Sequence, residues 1–447
     1  MSFQRRSIAA LGAIAVAVFA VVVGSAQART GKALSVAAPV PGNGSSTDPA
    51  ISANGRFVAF DSTGSNLVRG DTNHRRDVFV YDRLTGRTER VSVSSQGKQG
   101  NGESDCNGIS ADGRFVLFES NASNLVPGDT NDSWDVFVRD RLRGTTKRVS
   151  VSSSGKQGND WSVNAFISTD GRFVAFDSYA SNLIPGDNRQ HGAYVHDLQT
   201  GTTEQVSLSS TGEQANKPSY ADSISGDGQF VVFTSSASNL VPGDTNSQED
   251  VFVRDRLTNT TERVSVASDG QQAQGESDIN SISSNNISAD GRFVAFQSNA
   301  SNLVAGDTNN SWDVFVHDRL TGTTERVSVS SNGEQGNRNS YLEAISPDGR
   351  FVVFHSKASN LVTGDTNNSS DVFVYDRLTG TTERVSIGKH GKQANGSSSS
   401  AAISADERFV AFESTASNLV PGDHNRQEIF VRDRLRGKTE LVSVGRR

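Results

Sequence analysis

Twelve residues beginning at Ile51, ISANGRFVAFDS, place Phe57 and Ala59 on one face of an extended segment and Val58 and Phe60 on the other. Apolar residues on both faces suit a strand sandwiched between neighbouring sheets. Asp77-Val-Phe-Val-Tyr-Asp82 has the same two-sided character and predicts a second buried strand. A short strand over about Asp48 to Ser52 precedes the first, joined to it by the hairpin signal Ala53-Asn54-Gly55. After a turn at Leu84-Thr85-Gly86, Thr88 to Ser94 alternates Val91 and Val93 with Ser92 and Ser94, the pattern of a half-exposed outer strand. Polar residues on an outermost strand also discourage edge pairing.

This four-strand unit recurs. Its core starts again at Ile109, Ile167, Ile224, Ile287, Ile345 and Ile403, a period of roughly 58 residues, with extra residues around Asn280 to Asn286 in the fourth interval. Seven antiparallel four-strand units predict an all-β protein, a seven-bladed β-propeller, because radial closure protects the strand edges. An open solenoid would need polar capping repeats, and none is distinct here. Ring closure is left open by the pattern. Leu34-Ser35-Val36 followed by Gly42-Asn43 looks like a surplus outer strand, although the last repeat already ends in Glu440 to Val444. The amino-terminal segment is therefore either a fifth outer strand or a clasp.

The units resemble the WD-like repeats of TolB-type β-propellers. The resemblance rests on the core best matched at Ser346 to Ser356, on the third-strand pattern ending in Asp, and on the Thr-Gly turn, and it covers about residues 34 to 447. It implies a periplasmic binding or scaffold protein, or a propeller of the kind attached to peptidases. The amino-terminal domain of TolB and an attached hydrolase domain are both missing from the pattern.

Composition narrows the task. Of 447 residues, 43 are Lys or Arg and 50 are Asp or Glu, a formal charge of −7, which gives no support to nucleic-acid binding. Cys106 is the one cysteine, so no intramolecular disulfide is available. Residues 1–28 read as an export signal: Arg5 and Arg6, an apolar run from Ile8 to Val23, and a small-x-small site at Ala26-Gln27-Ala28. The remainder, 29–447, is expected to be one propeller domain, secreted or periplasmic, monomeric, with no membrane span once the signal is cleaved.

Antiparallel topology gathers the long connections at one end of the ring, where binding usually lives. One kind carries Gly-x-Gln-Gly/Ala-Asn, as at Gly97 to Asn101. The other carries Ser-Asn-Leu-x-x-Gly-Asp, as at Ser123 to Asp129. Oxygen-bearing side chains then fall at alternating positions: Asp129, Asn131, Ser133 and Asp135; Asp307, Asn309, Ser311 and Asp313; Asp365, Asn367, Ser369 and Asp371. Asp244, Asn246, Gln248 and Asp250 come close, and Asp71, Asn73 and Asp77 carry Arg75 between them. Calcium takes six to eight oxygens from such loops, so the pattern resembles half a calcium site, without the later Gly and bidentate Glu. The same residues also suit a turn in which Asp and Asn cap backbone N–H groups. Repeats three and seven break the pattern, at Asp187, Arg189 and His191 and at Asp423, Asn425 and Glu428.

No nucleophile elbow, zinc-protease helix or phosphate loop occurs. His74 and His424 lie in long loops of blades that closure makes neighbours, His196 and His317 read as surface variants, and His355 follows the second strand's last Phe, where other repeats carry Asp, Glu, Gln or Thr. The aspartates that end each third strand, Asp82 to Asp433, obey the repeat and read as turn chemistry. Departures on the long-loop face, Trp161, Arg189, His191, Lys217 and Tyr220, mark a contact patch for a protein or glycan partner. The expected function is a non-catalytic binding scaffold with calcium as a structural ion. The alternative is a secreted lyase or glycoside hydrolase acting on polysaccharide.

Overall fold

The structure is a computed structural model that describes residues 40–187, 191–279, 285–422 and 426–446. Seven four-stranded antiparallel sheets succeed one another along the chain, each with strands in sequence order. In the first blade these are β1 (Ser46–Ile51), β2 (Phe57–Ser62), β3 (Asp77–Asp82) and β4 (Arg87–Arg90). The first strand of each blade is innermost. Ile51, Ile109, Ile167, Ile345 and Ile403 meet around a narrow central space of about 90 Å³. The apolar second and third strands are buried on both faces, and phenylalanines such as Phe60 and Phe79 are fully enclosed. The seven-bladed β-propeller expected from the repeat is the observed architecture.

One contact repeats between blades. The Phe57 ring lies between two guanidinium groups, its own neighbour Arg56 at 4.6 Å and Arg141 of the next blade at 4.4 Å. Arg141 also donates to the Gly113 carbonyl and pairs with Glu89 on the preceding blade's outer strand. Gly113 has φ +73, and a β-carbon there would drive into the Phe57 ring. The Asp-Gly-Arg-Phe run is thus an inter-blade joint as well as a hairpin turn. The same joint closes the ring: Arg83 stacks on Phe409 at 4.1 Å and pairs with Glu440 at 2.6 Å. Three blades vary it. Gln229 precedes Phe230 in blade four, so that ring faces Arg319 alone. Leu198 stands at the arginine position of blade three, and it packs with Phe115 against one buried cluster. Glu407 occupies the glycine position of blade seven at φ +61.

Closure uses a clasp. Pro41 bridges Val444, and the Gly42 N–H donates to the Ser443 carbonyl at 2.9 Å. This reproduces the internal contact of Gly100 with Ser92, and Asn43 bonds Asn66 Oδ1 as Asn101 bonds Asn124 Oδ1. Residues 41 to 43 therefore stand where the loop that would join blade seven to blade one would run, and among the described residues each blade has four strands. Leu34 to Val36, like the export signal at 1–28, lies outside the described residues.

Two sequence expectations change. The segment Val91 to Ser94 is not half-exposed: Ser92 is fully buried, and its hydroxyl donates to Asp77 Oδ1 at 2.6 Å. A buried carboxylate needed that partner, so alternation of polarity did not mean alternation of exposure. His196 and His317 are not surface variants either. Both are 6% exposed, each with Nδ1 against a threonine hydroxyl of the adjacent outer strand.

Gly113→Ala is expected to destabilise the protein by ~2–4 kcal/mol, combining left-handed strain with overpacking. Glu407→Gly should move the other way, by up to about 1 kcal/mol, since it removes the strain where no glycine exists. Denaturant melts of the two variants against the parent chain check both signs.

Candidate functional site

The repeated loop motifs meet one another. Asn124 Nδ2 donates to the Gln99 carbonyl, and Asn101 Nδ2 reaches the Ser123 hydroxyl, so each long loop is tied to the next blade. The oxygen-rich pattern sits within this mesh. Asp129 and Asp135 both face Arg148 Nη1, at 3.2 and 3.1 Å, and both accept from Gln157 Nε2 at 2.9 Å. Ser150 donates to Asp135 at 2.6 Å, Asn131 Nδ2 donates to the Gly158 carbonyl, and Ser133 N–H donates to Asn131 Oδ1. The place between the two carboxylates is thus taken by a guanidinium.

The other copies agree. Arg263 bridges Asp244 and Asp250, and Arg326 bridges Asp307 and Asp313. Arg384 bridges Asp365 and Asp371, and Arg90 bridges Asp71 and Asp77. Asn246, Asn309 and Asn367 turn their amide nitrogens, not their oxygens, toward the second carboxylate. Ser311 and Ser369 N–H groups cap the Asn309 and Asn367 side chains. Blades three and seven lack this arginine: Gln205 stands in blade three, where Gly192 replaces the second aspartate, and Leu441 in blade seven, where Glu428 replaces it. Among the described residues no three His, Cys, Asp or Glu side chains converge as metal ligands.

The third-strand aspartates do serve turns. Asp82 accepts both arms of Arg56, at 2.9 and 2.8 Å, and the Leu84 N–H. The Arg56 hydrogen bonds hold its carboxyl down at about 2.

The mouth of the ring on the long-loop face has a different chemistry. A register shift in each complete inner strand inserts an extra residue, and such a bulge re-aims side chains. It delivers Asp48, Asn107, Asp222 and Glu343 to this rim, beside Asp61, Glu119 and Asp177 of the second strands. Burial is the main cause that raises Asp48 to about 7 and Glu119 to about 8. Most of the rim is compensated by bases. Arg76 pairs with Asp105 at 2.8 Å and faces Asp61 at 3.9 Å, and His355 Nδ1 meets Glu343 at 2.5 Å.

Blades three to five depart furthest from the repeat. His191, 5% exposed, places Nε2 3.1 Å from Asp177. Its ring stacks on Tyr179 at 3.9 Å and meets the edge of Tyr220 at 4.7 Å. Tyr220 borders a cleft of about 580 Å³ shared with Asp222, Glu249, Glu276 and Asp278. Desolvation first, then neighbouring carboxylates, raises Glu249 to about 7, and burial raises Asp278 to about 6. Of the residues expected in a contact patch, His191 and Tyr220 touch. Trp161 joins them through the backbone, its carbonyl accepting from Tyr179 N–H, with its side chain half exposed. Lys217 is exposed beside Pro218 at the cleft edge. Arg189 and His424 lie outside the described residues, and His74 is exposed in its loop. Tyr179, Asp222, Glu249 and Asp278 escaped the sequence reading. Tyr179 and Glu249 were visible as departures in an alignment of the repeats, but the bulge that exposes Asp222 was not.

Two outcomes follow. For Asp48, Glu119 and Asp278 the folded chain holds protons that the unfolded chain releases above about pH 4, so stability falls as pH rises toward about 7. Asp82 and Asp376, both at about 2, act oppositely, losing their contribution as pH falls below about 4. Melting temperature should therefore peak near about pH 4–5, which calorimetry across pH 3 to 9 tests. Second, the bridging arginines predict no rise in melting temperature in millimolar calcium over chelator. A bound ion at a hundredfold excess over its dissociation constant would add about 2.7 kcal/mol.

No protein-family model matches the chain, and no curated protein matches it. Among solved structures, the β-propeller domain of the Trilobed protease from Pyrococcus furiosus is similar with a TM-score of 0.53 at 11% identity, covering 89% of this chain and 95% of that one. A prolyl endopeptidase structure has a TM-score of 0.54 at 14% identity, covering 89% of this chain and 49% of that one, so the chain spans about half its length. TolB from Acinetobacter baumannii has a TM-score of 0.40 at 16% identity, covering 83% and 77%. What these proteins share with the chain is the β-propeller fold.

Proposed function

We propose that the protein is an exported, TolB-like β-propeller that acts as a non-catalytic binding module, engaging a protein or glycan at the channel mouth beside blades three to five. The observation that carries this is where the repeat breaks. Elsewhere the long loops are consumed by bonds between blades. Here Tyr179 and His191 stack, His191 meets Tyr220, and Tyr220 lines a cleft of about 580 Å³. Clefts of that size with aromatic walls and a few convergent polar groups suit ligands. Among the described residues no helix is long and apolar enough to cross a membrane. Export rests on the leader alone. In this reading calcium would be a structural ion rather than a reactant.

A second reading has one observation in its favour. Glu249 and Asp278, raised to about 7 and about 6 in one cleft, have the proton affinity a general acid needs for glycosidic chemistry.

Glycan and peptide arrays probed with the full chain separate the two. Saturable binding that weakens at least about tenfold in Tyr220→Ala or Trp161→Ala, with no turnover of polysaccharide, is expected for a hot-spot aromatic. Turnover that is lost in Glu249→Gln would establish the enzyme instead.

A further inference from the structure

The cleft between blades four and five contains carboxylates that the rest of the rim would supply with a base. In blade one, Arg76 is the residue before the third strand, and it reaches across to Asp105 on the inner strand of blade two at 2.8 Å. In blade four the equivalent residue is Glu249, and the equivalent of Asp105 is Asp278 on blade five. The same crossing therefore brings carboxylate to carboxylate, and each charge disfavours the other.

Asp222, delivered by the bulge of blade four, adds a third. Its side chain is 5% exposed, the Thr234 hydroxyl serves one oxygen, and Oδ2 has no hydrogen-bond partner. Asp278 Oδ1 is also unpartnered, and Glu276 stands at the exposed edge of the same cleft. Among the described residues none of these four acids is in an ion pair, whereas Asp105, Asp177 and Glu343 around the same rim each face a base. Leaving a buried polar atom without a partner is costly, so the gap calls for an occupant.

We propose that this cleft binds an organic cation, an ammonium or guanidinium group seated where Arg76 sits in the first blade. The claim rests on the reading of the channel mouth as a binding face and names the chemistry it selects. The cleft's volume exceeds that of a bare ion, and among the described residues no set of three His, Cys, Asp or Glu ligands for a metal converges there. Tyr220 at its border offers a ring face, which attracts ammonium and guanidinium groups. Two sources carry this chemistry, a basic side chain of a partner and a free polyamine.

Isothermal titration of the full chain distinguishes them, using spermidine, acetylated tri-lysine, acetylated tri-alanine, acetylated tri-glutamate, a neutral oligosaccharide and calcium chloride as probes. Saturable binding of spermidine or tri-lysine is expected, weakened at least tenfold in Asp278→Asn and by raising salt. Preference for spermidine points to a free polyamine, and preference for tri-lysine to a partner's side chain. Glu249→Arg supplies the missing base internally; it should abolish binding and raise the melting temperature, which guards against a variant that merely fails to fold. Equal binding of tri-alanine, binding of calcium alone, or cation binding that survives Glu249→Arg overturns the proposal. Binding of tri-glutamate or the oligosaccharide without the cations, lost in Tyr220→Ala, overturns the cation while keeping the binding face. No binding by any probe removes the cation, and silent arrays in addition would remove the binding face.

Discussion

Everything in this molecule depends on the contact that joins one blade to the next: a phenylalanine ring held between two guanidinium groups and pressed by a glycine of the neighbouring blade. A four-stranded blade cannot bury both faces of its second strand alone, so each repeat is stable only against its neighbours. Repeats one to six obtain that contact from the next stretch of chain, with one guanidinium instead of two at Phe115 and Phe230. The seventh obtains it from Arg83, and Glu440 completes it across the full length of the sequence. Because the closing contact is the internal one repeated, the ring has no special seam within its sheets. The clasp of Val40 to Gly42 on Ser443 to Gly445 lies at the junction of blade seven with blade one.

The same economy governs the long-loop face. Five arginines on outer strands each bridge two loop carboxylates, and one carboxylate of each pair is completely buried against a serine. Removing either partner from such a pair leaves an uncompensated buried charge, which is far worse than never having the pair. In blade three the arginine and the buried aspartate are lost together, at Gln205 and Gly192, while blade seven loses the arginine and keeps a carboxylate, Glu428. That loss frees those blades to differ, and blade three stacks Tyr179 on His191 at that point.

The channel mouth follows from a bulge in the inner strands. Bulges turn side chains that would pack between blades toward the rim, where six copies among the described residues place polar groups in a ring. The blades then diverge in charge. Arg76 offsets part of the acid of blades one and two, while blades four and five hold carboxylates beside Tyr220 that no ion pair among the described residues offsets. Comparison with solved propellers adds the fold and nothing about ligands, so the chemistry of this rim has to be read from its own residues.

Much of the architecture was legible in the chain itself. Two-sided apolar strands such as Phe57 to Phe60, punctuated by Asn-Gly or Asp-Gly, imply sandwiched sheets, and seven copies imply a ring, because periodicity is a local property repeated. The turn role of Asp82 and its equivalents was legible for the same reason. The partners of Asp129 and Asp135 were not: spacing shows that oxygens alternate, but not that Arg148 on another strand fills the space between them. Nor could spacing show that Ser92 is buried, that His196 and His317 lie between blades, or that Asp222 turns into a cleft shared with blade five. The sequence by itself determined the blades, their number and their turns, since hydrophobic period and turn residues act within a few residues of one another. Which carboxylates are neutralised and which stand unpaired was decided by tertiary structure alone, because electrostatic partners are chosen by proximity across blades, and the chain order does not record that distance.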